Sequence, residues 1–161
     1  MLKKGNLMKL FELVDFIPSI PKNLVITDIE ELYKKPNAFD DSGEWDWWYF
    51  TTKVDDKLYN FLQPYFDFPI EVYYQLSGRQ LTPHIDQGRT FCYNYTLLPG
   101  GPDVKTRWYD DTMENIIYEI TAPLSTWHRL QVDVPHDISE IESHRLSLTI
   151  QAAKNEDNNN R

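Results

Sequence analysis

Two histidines and one aspartate have the types and spacing of a metal site. His84-Ile85-Asp86 places an imidazole and a carboxylate on either side of one residue, and His136 lies about fifty residues further along. Residues i and i+2 of a strand face the same side, so His84 and Asp86 can address one ion. Two histidines and one carboxylate on one face of Fe(II) leave other positions open for substrate chemistry. The set therefore suggests the chemistry of a non-haem iron oxygenase.

The third ligand of this site has two candidates. His128 shares the face of Leu130 and Val132 in an alternating segment, which is the pattern of a histidine on a core face. His136 follows Pro135 at a break between strands, and functional sites collect at strand ends. The residue pattern favours His136 and leaves His128 as the alternative.

A polar stripe follows His136 at a distance of about nine residues. Arg145, Ser147 and Thr149 alternate with Leu146 and other apolar residues, so the three polar side chains share one strand face. A guanidinium can grip a carboxylate with two hydrogen bonds, and Arg145 with Ser147 could hold an acidic co-substrate. Alternatively, this face is exposed to solvent and Arg145 forms a weak ion pair. His144 would point away from Arg145, which predicts a surface residue.

Four more residues are candidates for contacts with co-substrate or substrate. The hydroxyl of Tyr74 could bond to the co-substrate, with ordinary strand packing as the alternative. Arg89, close after His84 and Asp86, could meet a substrate carboxylate or only the neighbourhood of Asp86. In the segment around Asn94 and Tyr95 either strand face could line a cavity, and both residues are substrate candidates. No catalytic side chain is predicted beyond the metal centre itself.

Composition limits the classes of protein and partner. The chain has 161 residues, of which 41% are hydrophobic and 14% aromatic, as expected for one globular domain. Its net charge of −9 argues against nucleic acid and acidic membranes as partners. The lone cysteine, Cys92, excludes an internal disulfide and fits a buried position. We expect a cytoplasmic protein with a small-molecule or peptide substrate; the oligomeric state stays open.

The chain changes texture after about residue 64. Residues 1–64 read as a helical and loop extension that packs on the core, with Thr27 as the N-cap of a short helix and Glu30 three residues later. The aromatic cluster from Trp45 to Phe50 either packs this extension onto the core or forms part of a substrate wall. Residues 153–161 read as a disordered polar tail.

Residues 65–152 read as the β core. Short segments rich in Val, Ile, Tyr, Thr and Trp alternate there with Gly and Pro. The predicted strands are 69–76, 80–86, 90–98, 104–110, 115–121, 126–134, 136–141 and 144–151. Eight short strands at this spacing predict a mainly β sandwich or jelly roll.

Together, these residues resemble the 2-oxoglutarate- and Fe(II)-dependent oxygenases, in particular the prolyl-hydroxylase-like branch. The resemblance covers about residues 73–150. It begins with Tyr74, Gly78 and the Pro83–Asp86 segment, passes a Gly-Gly turn, and ends with a histidine followed by Arg-x-Ser. The residues of the last two parts are Gly100, Gly101, His136, Asp137, Ile138, Arg145, Leu146 and Ser147.

The resemblance implies a double-stranded β-helix (jelly roll, cupin-like) in which His84, Asp86 and His136 hold Fe(II). It favours His136 over His128, because the family's interval from the distal histidine to the arginine is about nine or ten residues. Arg145, helped by Ser147 and Tyr74, would bind the distal carboxylate of the co-substrate 2-oxoglutarate.

The chain departs from the family in three respects. Prolyl hydroxylases often have lysine at the position of Arg145, the interval from Tyr74 to Gly78 is one residue longer than expected, and the chain is short. The implied activity consumes O₂, converts 2-oxoglutarate to succinate and hydroxylates a C–H bond, with an amino-acid side chain, free or peptidyl, as the first candidate. The alternatives are a non-catalytic jelly-roll module that binds a ligand such as a carbohydrate, and a cupin-like isomerase.

Overall fold

The computed structural model of the protein describes residues 9–36 and 49–153. The described residues form two short α-helices and nine β-strands. In chain order they are β1 (Phe11–Leu13), α1 (Ile29–Tyr33), β2 (Tyr49–Lys53), α2 (Asp56–Leu62), β3 (Ile70–Ser77), β4 (Phe91–Pro99), β5 (Lys105–Tyr109), β6 (Ile116–Ile120), β7 (His128–Gln131), β8 (His136–Ser139) and β9 (Arg145–Ala152). Neither helix is long and apolar enough to cross a bilayer.

The strands form two antiparallel sheets that the chain visits in turn. The large sheet has the order β1-β7-β4-β9-β3-β2, and the small sheet has the order β6-β5-β8. From β3 onward the chain passes repeatedly between the two sheets, and a single bridge between His84 and His136 places the segment before β4 beside β8. This is the path of a double-stranded β-helix. The predicted mainly β jelly roll with short N-terminal helices is confirmed.

One predicted strand differs from the structure. Residues 80–86 do not form a continuous strand and contribute only the bridge at His84, whose backbone N–H and C=O both bond to His136 at 3.0 and 2.9 Å. Leu81 makes a further backbone bond to Ile138 at 3.2 Å. Between them lies Pro83, which has no N–H to donate and interrupts the ladder. The segment therefore follows β8 through isolated contacts.

The N-terminal extension contributes strands as well as helices. Its β1 pairs with β7 and its β2 pairs with β3, so the extension supplies both edges of the large sheet. The N-cap of α1 is Asp28 instead of the predicted Thr27, because the Asp28 carboxylate accepts from the N–H groups of Glu30 and Glu31 at 3.0 and 3.4 Å. A carboxylate there also benefits from the positive end of the helix.

Part of the aromatic cluster and most of the tail lie outside the described residues. These parts are Trp45–Trp48 and residues 154–161. The last residue of the cluster, Phe50, is buried in β2, and its ring lies 5.5 Å from that of Tyr33 in α1. This end of the cluster therefore packs the N-terminal extension against the sheet.

One face of β9 packs in the apolar core, and the other faces the space between the two sheets. Its apolar residues point to the outer side of the large sheet, where the N-terminal extension covers them. The main core there includes Ile17, Ile20, Leu32, Leu58, Leu62, Leu146, Leu148 and Ile150. A smaller apolar cluster of Cys92, Trp108, Leu130 and Val132 joins the large sheet to the small one. The remaining side chains on the inner face of the large sheet are mostly polar, which leaves a polar interior between the sheets.

Candidate metal centre

Three side chains meet where the segment before β4 runs beside β8. His84 lies in the isolated bridge, Asp86 follows it, and His136 is the first residue of β8. The Oδ1 atom of Asp86 lies 3.4 Å from Nε2 of His84 and 3.5 Å from Nε2 of His136. The three potential ligand atoms all lie within 4.8 Å of one another. The His84, Asp86 and His136 side chains thus form a group that can hold a metal ion, which we call the triad.

A local hydrogen bond fixes the tautomer of each triad histidine. Nδ1 of His84 lies 2.7 Å from the carbonyl oxygen of Thr82, and Nδ1 of His136 lies 2.8 Å from that of Val134. A carbonyl only accepts, so Nδ1 of each ring carries the proton and donates. The lone pair of each Nε2 is then directed at the centre of the triad. Metal-bound histidines commonly have such a bond behind them.

The carboxylate of Asp86 divides its two oxygens between different partners. Oδ1 faces the histidines, whereas Oδ2 accepts from Nε and Nη2 of Arg89 at 2.8 and 2.5 Å. Burial opposes ionisation of Asp86, but its bonds to His84 and Arg89 outweigh burial and lower its pKa to about 2. Asp86 is therefore an anion at neutral pH, as a metal ligand must be.

The donor set fits a divalent transition metal. Two imidazoles and one carboxylate on one side are the ligands of the 2-His-1-carboxylate centres. Metal–nitrogen bonds of about 2.1 Å put neighbouring ligand atoms about 3 Å apart, so the distances of 3.4 and 3.5 Å from Asp86 to the two histidines need only a small contraction. The bond to Asp86 raises the pKa of His84, while burial lowers the pKa of His136. Binding a cation would displace any proton held between His84 and Asp86.

Arg145 is a buried cation on the inner face of the large sheet. It begins β9, where it pairs with Ser77 and Pro99, and only 4% of its surface is exposed. No hydrogen bond or ion pair of its guanidinium occurs within residues 9–36 and 49–153. Burial lowers its pKa to about 10, so the group is still charged at neutral pH. A buried charge is costly unless an anion pairs with it, so the Arg145 guanidinium is a candidate for binding an anion.

Further polar atoms on the inner face also lack a partner within the described residues. They include Nε2 of His128 and Oγ1 of Thr149. Ser147, between Arg145 and Thr149 on the same face, makes only a long 3.5 Å bond to Thr96. His128 itself is fully buried and donates from Nδ1 to the carbonyl of Thr126 at 2.9 Å. It lies outside the triad, whereas His144 is exposed as predicted.

Two predicted contact residues lie on the outer face of the large sheet, on the side opposite to Arg145. The hydroxyl of Tyr74 accepts from the backbone N–H of Ile26 at 2.9 Å, and its ring belongs to the outer core. The ring of Tyr95 packs at a tilt against that of Trp127 in the same core, with ring centroids 4.9 Å apart. Neither tyrosine therefore reaches the interior that contains Arg145, because the residues that precede and follow each tyrosine in its strand are the ones that face inward.

The inward positions of β3 and β4 carry different residues. Tyr73 pairs with Thr149 and Gln75 pairs with Ser147, so these two side chains of β3 share the face of Arg145. In β4 the same face carries Cys92, Asn94 and Thr96. Asn94, a substrate candidate, thus lies on the inner face, where it is 8% exposed and its Oδ1 accepts from the Cys92 thiol at 3.5 Å.

A pocket of about 600 Å³ opens beside the triad. Asp86 and Arg89 line it together with Thr149, so the polar stripe that begins at Arg145 reaches the pocket. Aromatic side chains supply much of the rest of its wall. They are Tyr49, Phe68, Tyr73, Phe91 and Tyr93. Sequence reasoning missed Tyr73 and Gln151 in this wall; continuing the alternation of Arg145, Ser147 and Thr149 by one step would have found Gln151.

No protein-family model and no curated protein matches the sequence. Among solved structures, an oxalate decarboxylase aligns with a TM-score of 0.45 and 9% identity over 75% of this chain. An RmlC-like cupin protein from Desulfovibrio desulfuricans aligns at 0.40 and 13% over 72% of this chain and 94% of its own. The Fe(II) form of HppE aligns at 0.41 and 11% over 84% of this chain and 64% of its own.

The chain spans only 28% of the oxalate decarboxylase chain. Similarities this loose assign neither fold nor activity. The fold therefore rests on the strand topology, and the metal centre rests on the three side chains.

Proposed function

We propose that the protein is a 2-oxoglutarate- and Fe(II)-dependent oxygenase that hydroxylates a C–H bond. The observation that carries this proposal is the buried guanidinium of Arg145, which has no acidic partner among the described residues. It shares a strand face with Thr149, and Thr149 lines the pocket at Asp86. A co-substrate with a 2-oxo acid at one end and a carboxylate at the other requires a metal centre and an anion site. It also requires a polar interior that joins the two.

In this proposal Arg145 binds and orients the distal carboxylate of 2-oxoglutarate. Two parallel hydrogen bonds fix a carboxylate in position and in rotation. Binding also gives the buried guanidinium the counter-ion that the described residues do not provide, so part of its desolvation cost is recovered. Ser147, for which a 3.5 Å bond to Thr96 is the one side-chain bond within the described residues, would add a further contact.

The triad residues hold the metal and keep part of its surroundings open. His84 and His136 present Nε2 and Asp86 presents Oδ1, so three protein atoms would occupy one face of the ion. Fe(II) held there supplies the redox chemistry that couples decarboxylation of the 2-oxo acid to oxidation of the substrate by O₂. The buried inner-face residues Arg145, Ser147 and Thr149 would shield the distal carboxylate from bulk water, whereas the triad itself is only partly buried.

The primary substrate would enter the pocket of about 600 Å³ beside Asp86. Its volume is in the range that encloses a small organic molecule or a few residues of a peptide. Aromatic rings such as Phe68 and Phe91 line it and offer apolar contacts to a carbon chain. We propose an amino-acid side chain, free or within a peptide, as the group that is hydroxylated.

Anaerobic addition of Fe(II) and 2-oxoglutarate tests this function. We expect a visible charge-transfer band from the chelate in the wild type, the same band in His128→Ala, and no band in His136→Ala. The His128 variant is the matched control because it removes a buried imidazole outside the triad. If the folded wild type gives no band, the oxygenase proposal is wrong, and a non-catalytic ligand-binding module becomes the better explanation of the pocket.

A further inference from the structure

We propose that Arg89 is a positioning residue that holds Asp86 as a ligand through one oxygen only, and that Gln151 anchors Arg89. This inference rests on the proposed metal centre and goes beyond it. Of the two roles that the sequence left open for Arg89, a substrate carboxylate or the neighbourhood of Asp86, the observed bonds favour the second. The guanidinium already makes bonds to Asp86 and to Gln151, which account for all three of its nitrogens.

The contacts of Arg89 form a chain that leads from the triad to the large sheet. Nε and Nη2 donate to Oδ2 of Asp86 at 2.8 and 2.5 Å, and Nη1 donates to Oε1 of Gln151 at 2.7 Å. Gln151 in turn donates to Glu71 at 2.8 Å. Glu71 also accepts from the hydroxyl of Tyr73 at 2.7 Å. Asp86 is thus connected through Arg89 to the end of β9 and the beginning of β3.

Local backbone geometry brings Arg89 back toward Asp86. The chain turns at Gln87 and Gly88, and Gly88 has a φ of +81°, in the region that favours glycine. The side chains of Asp86 and Arg89 are 16% and 22% exposed, so water competes weakly for their bonds. A shielded pair with two donors on one oxygen holds its geometry better than an exposed ion pair.

The bonds from Arg89 limit how Asp86 can bind a metal ion. Because two N–H groups of Arg89 saturate Oδ2, only Oδ1 is available to an ion between His84 and His136. With one ligand atom from each triad residue, the ion would keep positions for a chelating 2-oxo acid and O₂. A carboxylate released from Arg89 could rotate and bind through both oxygens, and one open position would be lost.

Cobalt(II) binding tests this inference without any assay of activity. Co(II) is a spectroscopic probe for an Fe(II) site with nitrogen and oxygen ligands. We expect one Co(II) per wild-type chain and a 10- to 100-fold weaker affinity in Arg89→Ala, which is the usual effect of removing a partner of a metal ligand. The visible spectrum of the Co(II) that Arg89→Ala still binds should also differ from that of the wild type, because its carboxylate ligation has changed.

Three further variants separate positioning from general stability. Arg89→Lys keeps the charge but has one donor group, so we expect it to recover only part of the affinity. Gln151→Leu removes the anchor and should give an intermediate affinity. Arg129→Ala removes another arginine of the large sheet, which lies over Phe91 at 4.4 Å and outside this chain of contacts. It should bind Co(II) like the wild type, whatever it does to the melting temperature of the apoprotein.

The outcomes distinguish the two proposals. If the wild type binds no Co(II), the metal centre itself is wrong and the role of Arg89 falls with it. If the wild type binds Co(II) and Arg89→Ala binds it with equal affinity and an identical spectrum, the positioning role is wrong and the metal centre stands. A loss of melting temperature with unchanged Co(II) affinity and spectrum would also overturn the inference, because it would make Arg89 a purely structural residue.

Discussion

The imidazoles of His84, His128 and His136 make the same local hydrogen bond. Each donates from Nδ1 to the carbonyl two residues earlier, at distances of 2.7, 2.9 and 2.8 Å, and so turns the lone pair of Nε2 away from its own strand. Only two of the three face a carboxylate, because Asp86 reaches His84 and His136. What distinguishes a ligand here is the neighbour across the sheets, which the sequence around each histidine does not contain.

Arg145 should determine which 2-oxo acids bind. We expect Arg145→Gln to weaken 2-oxoglutarate binding to the Fe(II) protein by roughly 1.5–3 kcal/mol, the usual contribution of hydrogen bonds to a charged group. The same variant should bind 2-oxobutanoate, which lacks the distal carboxylate, as the wild type does. Anaerobic titration followed at the charge-transfer band measures both affinities. Equal losses for the two acids would show that Arg145 supports the site without contacting the distal carboxylate.

At the scale of the elements, a prediction succeeded where the sequence showed which face of the sheet a strand residue occupies. In β9 apolar and polar residues alternate, so the sequence alone placed Arg145, Ser147 and Thr149 on one face, and the structure has them there. In β3 both faces are largely buried, so hydrophobicity does not alternate and the inward residue could not be identified. Tyr73 is inward and Tyr74 is outward, which is why the prediction for Tyr74 was wrong.

The resemblance to a known family identified the three triad residues, which the strand pattern alone could not. The spacing of His84, Asp86 and His136 predicted three side chains that the structure brings within 4.8 Å. The chain of contacts from Arg89 to Gln151 and Glu71 could not be predicted, because it depends on the register between β9 and β3. Register is set by packing across the whole sheet, and a shift by one residue would reverse every side chain.

The turn after β4 should be intolerant of a side chain at Gly100. Its φ is +85°, and a Cβ there would lie 2.8 Å from Cβ of Arg145. We expect Gly100→Ala to lower the free energy of unfolding by more than the roughly 1–2 kcal/mol of a left-handed backbone alone, and to weaken 2-oxoglutarate binding by moving Arg145. For the loss of stability the matched control is Gly88→Ala, since Gly88 has a φ of +81° and no atom within 4 Å of the added Cβ.

Urea denaturation of the two glycine variants measures the difference. Both variants carry the cost of the backbone, so the excess loss in Gly100→Ala reports the contact with Arg145. Equal losses in the two variants would mean that the turn can shift away from β9 without cost, and that the close approach of Gly100 does not fix the position of the arginine.

At the scale of the whole molecule, the stabilising core and the candidate site occupy different sides of the large sheet. The N-terminal extension and the outer face of β9 form the main apolar core, which includes Leu32, Leu58 and Leu148. The inner face carries buried polar groups such as Arg145 and His128, whose burial lowers the free energy of unfolding. The outer core therefore offsets the cost of a polar interior, as expected where the interior is a candidate binding site.

The buried imidazole of His128 should make stability depend on pH on the acid side. Burial lowers its pKa from 6.5 to about 4 in the folded protein. Between these values the unfolded chain binds the proton and the folded protein does not, so stability is fully present above pH 6.5 and falls as the pH drops toward 4. The contribution of His128 to this loss is about 3 kcal/mol. Other groups titrate in the same range, so the quantity to compare is the difference between variants.

We expect urea denaturation at pH 6.5 and pH 4 to show a smaller loss of unfolding free energy in His128→Gln than in the wild type. His144→Gln is the matched control, because it makes the same substitution at an exposed histidine. If His128→Gln follows the wild-type curve, the folded protein accepts a proton at His128 without cost. The interior would then provide an acceptor or water for the charged ring, and the polar interior would be less sheltered from solvent than the burial of His128 and Arg145 indicates.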